Sequence, residues 1–155
     1  MAVSAGNDGP SCGTLSSPLA IYDSVFSVGA VDRSGTVATF SSRGPVSADG
    51  SGRVKPDISA PGVDVISSLP GGTYGPESGT SMAGPHLAGV VALLWSADPA
   101  LIGDIDRTEQ ILVQTATPSA GSRPSSECFT GGIPNDAYGY GIVDAYAAVK
   151  MALGK

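Results

Sequence analysis

Gly79-Thr80-Ser81-Met82-Ala83-Gly84-Pro85-His86 runs directly into Leu87-Ala88-Gly89-Val90-Val91-Ala92-Leu93-Leu94-Trp95. The second half is apolar enough to form a buried helix. The first half sets a serine at its mouth, after a glycine. Pro85 has no backbone N–H and fits the first turn of a helix, where that group would lack a partner anyway. This spacing predicts a helix that starts close to Ser81. A serine hydroxyl there sits at the positive end of the helix dipole, among unpaired amides. Acyl transfer through serine passes through an anionic tetrahedral intermediate, which such a position stabilises.

Outward from this stretch, strands and helices alternate. Ala2 to Ala5 reads as a strand that ends in the turn Gly6-Asn7-Asp8-Gly9. Val25 to Val31 reads as a buried strand, and Thr36 to Phe40 as a shorter one. Val46 to Pro56 is polar and glycine-containing, and reads as a surface excursion. Asp57 to Pro61 leads to a strand at Val63 to Ser67, and Pro70-Gly71-Gly72 marks a turn. Asp98-Pro99 stops the Ser81 helix. A second helix is expected from about Asp106 to Thr115, with Ile111 and Leu112 facing the core, and a last one from Val143 to Leu153. Between them, Thr117 to Asp136 reads as a long loop. The pattern favours an α/β layered sheet, with its ligand site outside the carboxyl ends of the strands.

Composition narrows the function. The chain has 155 residues, of which 22 are glycine and 12 proline, so a loop-rich fold is expected. Fourteen acidic and eight basic residues leave a net charge of −6, with no basic cluster. That excludes nucleic acid and anionic membranes as expected partners. No apolar run reaches the roughly 18 residues that a membrane span needs. Met1 leads straight into Ala2-Val3-Ser4, without a basic and then an apolar leader, so no signal peptide is read in this chain. The chain opens inside a strand, and the natural polypeptide is expected to begin upstream.

The two cysteines, Cys12 and Cys128, lie in glycine-rich, turn-like surroundings. A disulfide between them would close a loop of over a hundred residues, worth about 4–5 kcal/mol in the chain-entropy model. With low lysine content and many polar loops, that bridge fits a secreted, extracellular protein.

An asparagine leaving a strand end can donate its side-chain amide to a developing oxyanion, and the amide of a helix-start serine can donate a second bond. Asn7 and Ser81 are the candidates. At this point a resemblance emerges. The Ser81 string with Ala88-Gly89 is similar to the nucleophile signature of the subtilisin-like serine peptidases, the subtilases. Ala5-Gly6-Asn7-Asp8-Gly9 resembles the family's oxyanion turn. Phe40-Ser41-Ser42-Arg43-Gly44, Lys55 to Gly62 and Tyr138 to Ala145 resemble further family segments, in the family's order.

The resemblance implies a three-layer α/β fold with a mostly parallel sheet. This chain would be its C-terminal part, one incomplete catalytic domain over residues 1–155. It implies a serine endopeptidase that works through an acyl-enzyme. Ser81 would be the nucleophile and Asn7 the oxyanion donor, with Ala5, Gly6 and Thr80 receiving the polypeptide substrate. The family's triad runs Asp, His, Ser, with the first two upstream of the oxyanion asparagine. Both would lie before Met1. The chain would then be inactive alone, and its partner would be the missing N-terminal half of the domain. The alternative is a non-catalytic truncated or remnant subtilase domain that binds peptide or pairs with that missing half.

His86, the only histidine, does not replace the missing base. It lies five residues after Ser81, about 140° around the helix. Asp57 and Asp64 are expected to settle loops rather than form a triad with it, and Asp8 and Asp32 to sit in turns. Ala83 stands where a Gly-x-Ser-x-Gly elbow needs glycine, and no phosphate-loop lysine follows Gly71-Gly72. No Cys/His/Asp set has metal-ligand spacing, so no cofactor is required and no metal residue is named. Subtilases often hold calcium, in part through loop carbonyls near the segment resembling Ala20 to Val25, and carbonyl ligands leave no side-chain signature.

Overall fold

The computed structural model describes residues 1–119, 128 and 132–155. Strands β1 (Ala2–Ser4), β2 (Phe26–Val31) and β3 (Ile58–Pro61) form a parallel sheet in the order β1-β2-β3. Ala2 to Ser4 pair with Phe26 to Val28, and Val28 to Val31 pair with Ile58 to Pro61. Every residue of β2 is buried. A strand covered on both faces has no solvent side, so Phe26-Ser27-Val28-Gly29-Ala30-Val31 shows no polar alternation.

Helix α1 (Thr80–Ala97) packs across all three strands. Ala83, Leu87, Val90 and Leu94 face the sheet and join Val28, Ala30, Ile58 and Ala60 in the main core. Gly84 lets the helix approach β1 closely, since a Cβ there would lie 3.3 Å from Ser4 Oγ. Helices α2 (Ile105–Thr115) and α3 (Ala145–Ala152) pack on each other, and α3 packs on α1. Ile111 and Leu112 are buried, as the pattern predicts. The opposite face of the sheet is covered by loop residues, with Ala5, Leu15, Ala20, Ile21 and Val46 in a second cluster. Cys12 and Cys128 are joined by a disulfide, their Cα atoms 5.3 Å apart.

Several expectations change. The three parallel strands are joined by loops rather than by helices, and the helices all follow the sheet. The strand expected at residues 36–40 is reduced to one bridge, Val37 to Val31. Conversely, Ile58–Pro61, read as an approach, is itself the third sheet strand. The strand expected at Val63 to Ser67 is shifted to β4 (Val65–Leu69). It turns at Pro70-Gly71-Gly72 into β5 (Thr73–Glu77), with Leu69 opposite Thr73. Exposure explains the missed strand, because β5 is largely exposed and holds a proline and a glycine, which depresses any strand reading. Residues 120–127 and 129–131 of the expected 117–136 loop lie outside the described residues. Among the described residues no helix is long and apolar enough to cross a membrane.

Candidate active site

Two strand ends and one helix start meet at the carboxyl edge of the sheet. β1 continues through Ala5, whose N–H donates to Val28 O at 3.0 Å, and then leaves the sheet at Gly6-Asn7-Asp8. Gly6 has φ +107, a conformation open to glycine, and a Cβ there would lie 2.8 Å from Ser42 Oγ. The Ser41-Ser42 pair braces this turn. Ser42 N–H donates to Gly6 O at 2.9 Å, and Ser42 Oγ accepts from Asp8 N–H at 3.0 Å. Ser41 Oγ accepts from Ala30 N–H at 3.0 Å, anchoring the same segment to β2.

The start of α1 is held by the turn and by β3. Gly79 N–H donates to Gly62 O at 2.8 Å, just beyond β3. Gly79 is the N-cap and has no side chain to cap with. Asn7 supplies the cap from 73 residues away: its Oδ1 accepts from Thr80 N–H at 2.9 Å and from Thr80 Oγ1 at 3.1 Å. Thr80 Oγ1 in turn accepts from Gly6 N–H at 3.2 Å. These bonds fix the side-chain orientation of Asn7. With Oδ1 against Thr80 N–H, the Nδ2 end turns to the other side.

That other side is where Ser81 lies. A Cβ built on Gly79 would sit 3.5 Å from Asn7 Nδ2, 3.6 Å from Met82 Sδ and 3.7 Å from Ser81 N. Two hydrogen-bond donors therefore flank one small space, which Gly79 leaves open. Ser81 N–H has no hydrogen-bond partner among the described residues, whereas Thr80 N–H and Met82 N–H are both satisfied. Two unspent donors around a single point can hold an oxygen that gains negative charge.

Pro85 lies inside α1, not in its first turn as the sequence reading placed it. The helix begins at Thr80, so the N–H missing at Pro85 is the one that would bond Ser81 C=O. The serine turn is thus tied into the helix more weakly than the turns below it.

Ser81 is exposed, and it lies at one end of an open groove lined by Met82, Pro85, His86, Val65 and Leu93. His86 Nδ1 lies 2.8 Å from Met82 O, one turn back on its own helix, so that ring nitrogen is engaged by the backbone. Asp57 Oδ2 accepts from Ser27 N–H at 2.6 Å and Ser27 Oγ at 2.8 Å, and pairs with Lys55. Asp64 N–H donates to Ser78 Oγ at 2.9 Å. Asp32 caps its own turn, with Oδ1 accepting from Ser34 and Thr36, and those bonds hold its carboxyl below the usual range. None of these groups is bonded to Ser81.

Of the residues expected to meet substrate, Gly6 is half-buried, while Ala5 and Thr80 are 0% and 1% exposed. Ala5 packs into the second core cluster, and Thr80 carries the Asn7 cap. The sequence alone gives Gly79 no role. Its signal was present in the quoted string, as the glycine just before Thr80-Ser81, but only the donors around it give it a role.

An α/β domain with a serine at a helix mouth and an asparagine amide beside it has the architecture of the subtilisin-like peptidases. The subtilase family model matches residues 1–141, and the chain belongs to that family. Bacillopeptidase F of Bacillus subtilis (strain 168) is 44% identical over 148 residues, covering 92% of this chain and 9% of that protein. Subtilisin E of Bacillus subtilis (strain 168) is 46% identical over 101 residues, 64% of this chain and 24% of that protein. Among solved structures, the patellamide maturation protease PatA superposes with a TM-score of 0.72 at 32% identity, covering 97% of this chain and 50% of that one. The chain spans half or less of the length of each.

Proposed function

We propose that the protein acts as a serine endopeptidase whose nucleophile and oxyanion cradle lie on this chain and whose base lies on another segment. Ser81 Oγ attacks the peptide carbonyl, and a histidine from an upstream segment accepts its proton. An upstream aspartate orients that histidine. Asn7 Nδ2 and Ser81 N–H hold the oxyanion, an acyl-enzyme forms, and water releases it. The observation that carries this reading is the pair of unspent donors flanking the space above Gly79.

The partner is the preceding part of a subtilase domain. Its place is the free side of α1 and the outer edge of β1. Helix α1 is apolar around its whole circumference, a pattern normally covered on all sides. Here Ala88, Gly89, Ala92 and Leu93 are exposed, and Met1 at the β1 edge is 72% exposed. The chain covers 50% of PatA, which supports a partner segment of similar length. The Cys12–Cys128 bridge supports a secreted protein.

A second reading rests on Ser81 Oγ having no basic partner among the described residues: the chain is a non-catalytic domain that binds peptide in the groove beside α1. A fluorophosphonate probe separates the two. Labelling of Ser81 only after an upstream segment with the missing Asp and His is added supports the peptidase. No labelling in either condition supports the binding domain. Labelling of the chain alone contradicts the claim that its base lies elsewhere.

A further inference from the structure

Lys55 is a buried cation that the catalytic reading does not use. Its side chain is 3% exposed, yet it lies at the end of a polar surface excursion. Its Nζ donates to Val25 O at 2.7 Å and pairs with Asp57 Oδ2 at 2.6 Å. Val25 is the residue before β2 and Asp57 the residue before β3, so one ammonium ties together the entries of two neighbouring strands. Ser27 completes the arrangement by donating twice to the same carboxylate oxygen.

Charge and ligand type are informative here. A backbone carbonyl with a carboxylate is an oxygen set that suits a hard cation. It lies at the end of the Ala20 to Val25 segment, near which subtilases often hold calcium. The residues present do not fit calcium there. The Val25 carbonyl is already engaged by a fixed positive charge, and a divalent ion drawing on that oxygen would sit beside an ammonium in a poorly solvated site. Calcium also needs six to eight oxygens, and among the described residues no cluster of acidic, histidine or cysteine side chains could hold a metal.

We propose that Lys55 is a tethered resident cation that replaces a metal ion at the Val25 carbonyl and makes this segment independent of calcium. Removing the ammonium while keeping Asp57 leaves a carbonyl and a carboxylate facing an empty position, and that position then recruits a soluble cation.

The test is thermal unfolding of the full chain, as wild type, Lys55→Ala and Lys55→Ala with Asp57→Asn, each in chelator and in millimolar calcium. Lys55→Ala should lower Tm in chelator by on the order of 10 °C, because it strands a partly buried carboxylate. Calcium should recover part of that loss, and should recover less in the double variant. A calcium response equal in wild type and Lys55→Ala overturns the proposal. Hydrogen exchange on the wild type alone covers the case in which the variants fail to fold. The amides of Phe26 and Ser27 should keep the same protection in chelator and in calcium. Protection that collapses on chelation shows that a metal, not Lys55, holds the segment.

Discussion

The helices of this chain begin in two different ways. Helices α2 and α3 cap themselves: Asp104 Oδ1 accepts from Arg107 N–H at 3.1 Å and Asp144 Oδ1 accepts from Ala147 N–H at 2.8 Å. Each is a short-range N-cap that needs nothing from the rest of the fold. Helix α1 begins at Gly79, which has no side chain to offer, and its first amide is bonded by Asn7 from another part of the chain. A local aspartate cap would place an anion among the amides at the mouth of α1 and would consume one of them. The remote amide cap satisfies Thr80 N–H while adding a donor, and it leaves Ser81 N–H unspent. The mouth of α1 thus departs from a rule that the other two helices obey, and departures of this kind concentrate at functional sites.

The sharpest way to break the comparison is to make α1 resemble its neighbours at Asn7. Asn7→Asp keeps an acceptor oxygen for Thr80 N–H but replaces the donor Nδ2 with an anion. In the chain combined with the proposed upstream segment that carries Asp and His, kcat should fall by about 10²–10³, a magnitude known from subtilisin, a member of the same family. Tm should change little, because the cap survives. A fall in Tm with unchanged kcat would mean that Asn7 is only a cap.

Gly79→Ala should act next most strongly. The N-cap φ of 161 is extended backbone that alanine adopts, and its Cβ would make ordinary contacts at 3.5–3.7 Å. The methyl group fills the space between the two donors, so an oxygen bound there must shift. A loss on the order of 10²-fold in kcat/KM is expected, with the fold retained. Asp144→Ala is the matching control on an ordinary helix start. It should cost about 1 kcal/mol and roughly 2–4 °C in Tm, with Ser81 labelling unaffected.

How much of this was legible in the sequence follows from the range of each interaction. The helices were readable because their signals are local: Asp98-Pro99 stops α1, Asp144 starts α3, and Ile111 with Leu112 marks the buried side of α2. The buried strand β2 was readable as an uninterrupted run of small and apolar residues. The pairing of Asn7 with Ser81 was legible only as a resemblance, since neither residue signals the other from so far along the sequence. Pro85 predicts the helix start beside Ser81 correctly but itself lies past the first turn, because first-turn preference is a tendency rather than a rule. Lys55 was hidden for a similar reason. Among Ser51-Gly52-Arg53 a lysine looks like one more surface charge, and only the fold brings Val25 O and Asp57 to it.

The same accounting of polar partners distinguishes the carboxylates, and here the expected effect is smallest. Asp104 and Asp144 spend an oxygen on a helix amide. Asp136 is 4% exposed, and its Oδ1 has no hydrogen-bond partner among the described residues. Burial pushes its carboxyl above the ordinary range, and a bond from the Lys55 backbone opposes that only in part. A carboxyl whose folded pKa is raised favours the fold most when protonated. Its contribution is present below the unfolded value near 3.8 and is lost as pH rises through the folded value. Asp136→Asn stays neutral and keeps an oxygen for the Lys55 N–H. The variant should match wild type in acid and exceed it by roughly 1–2 °C in Tm at neutral pH. A Tm difference that stays constant across that range would mean that Asp136 is ionised without cost. Its Oδ1 would then be as well served as the capping oxygens of α2 and α3.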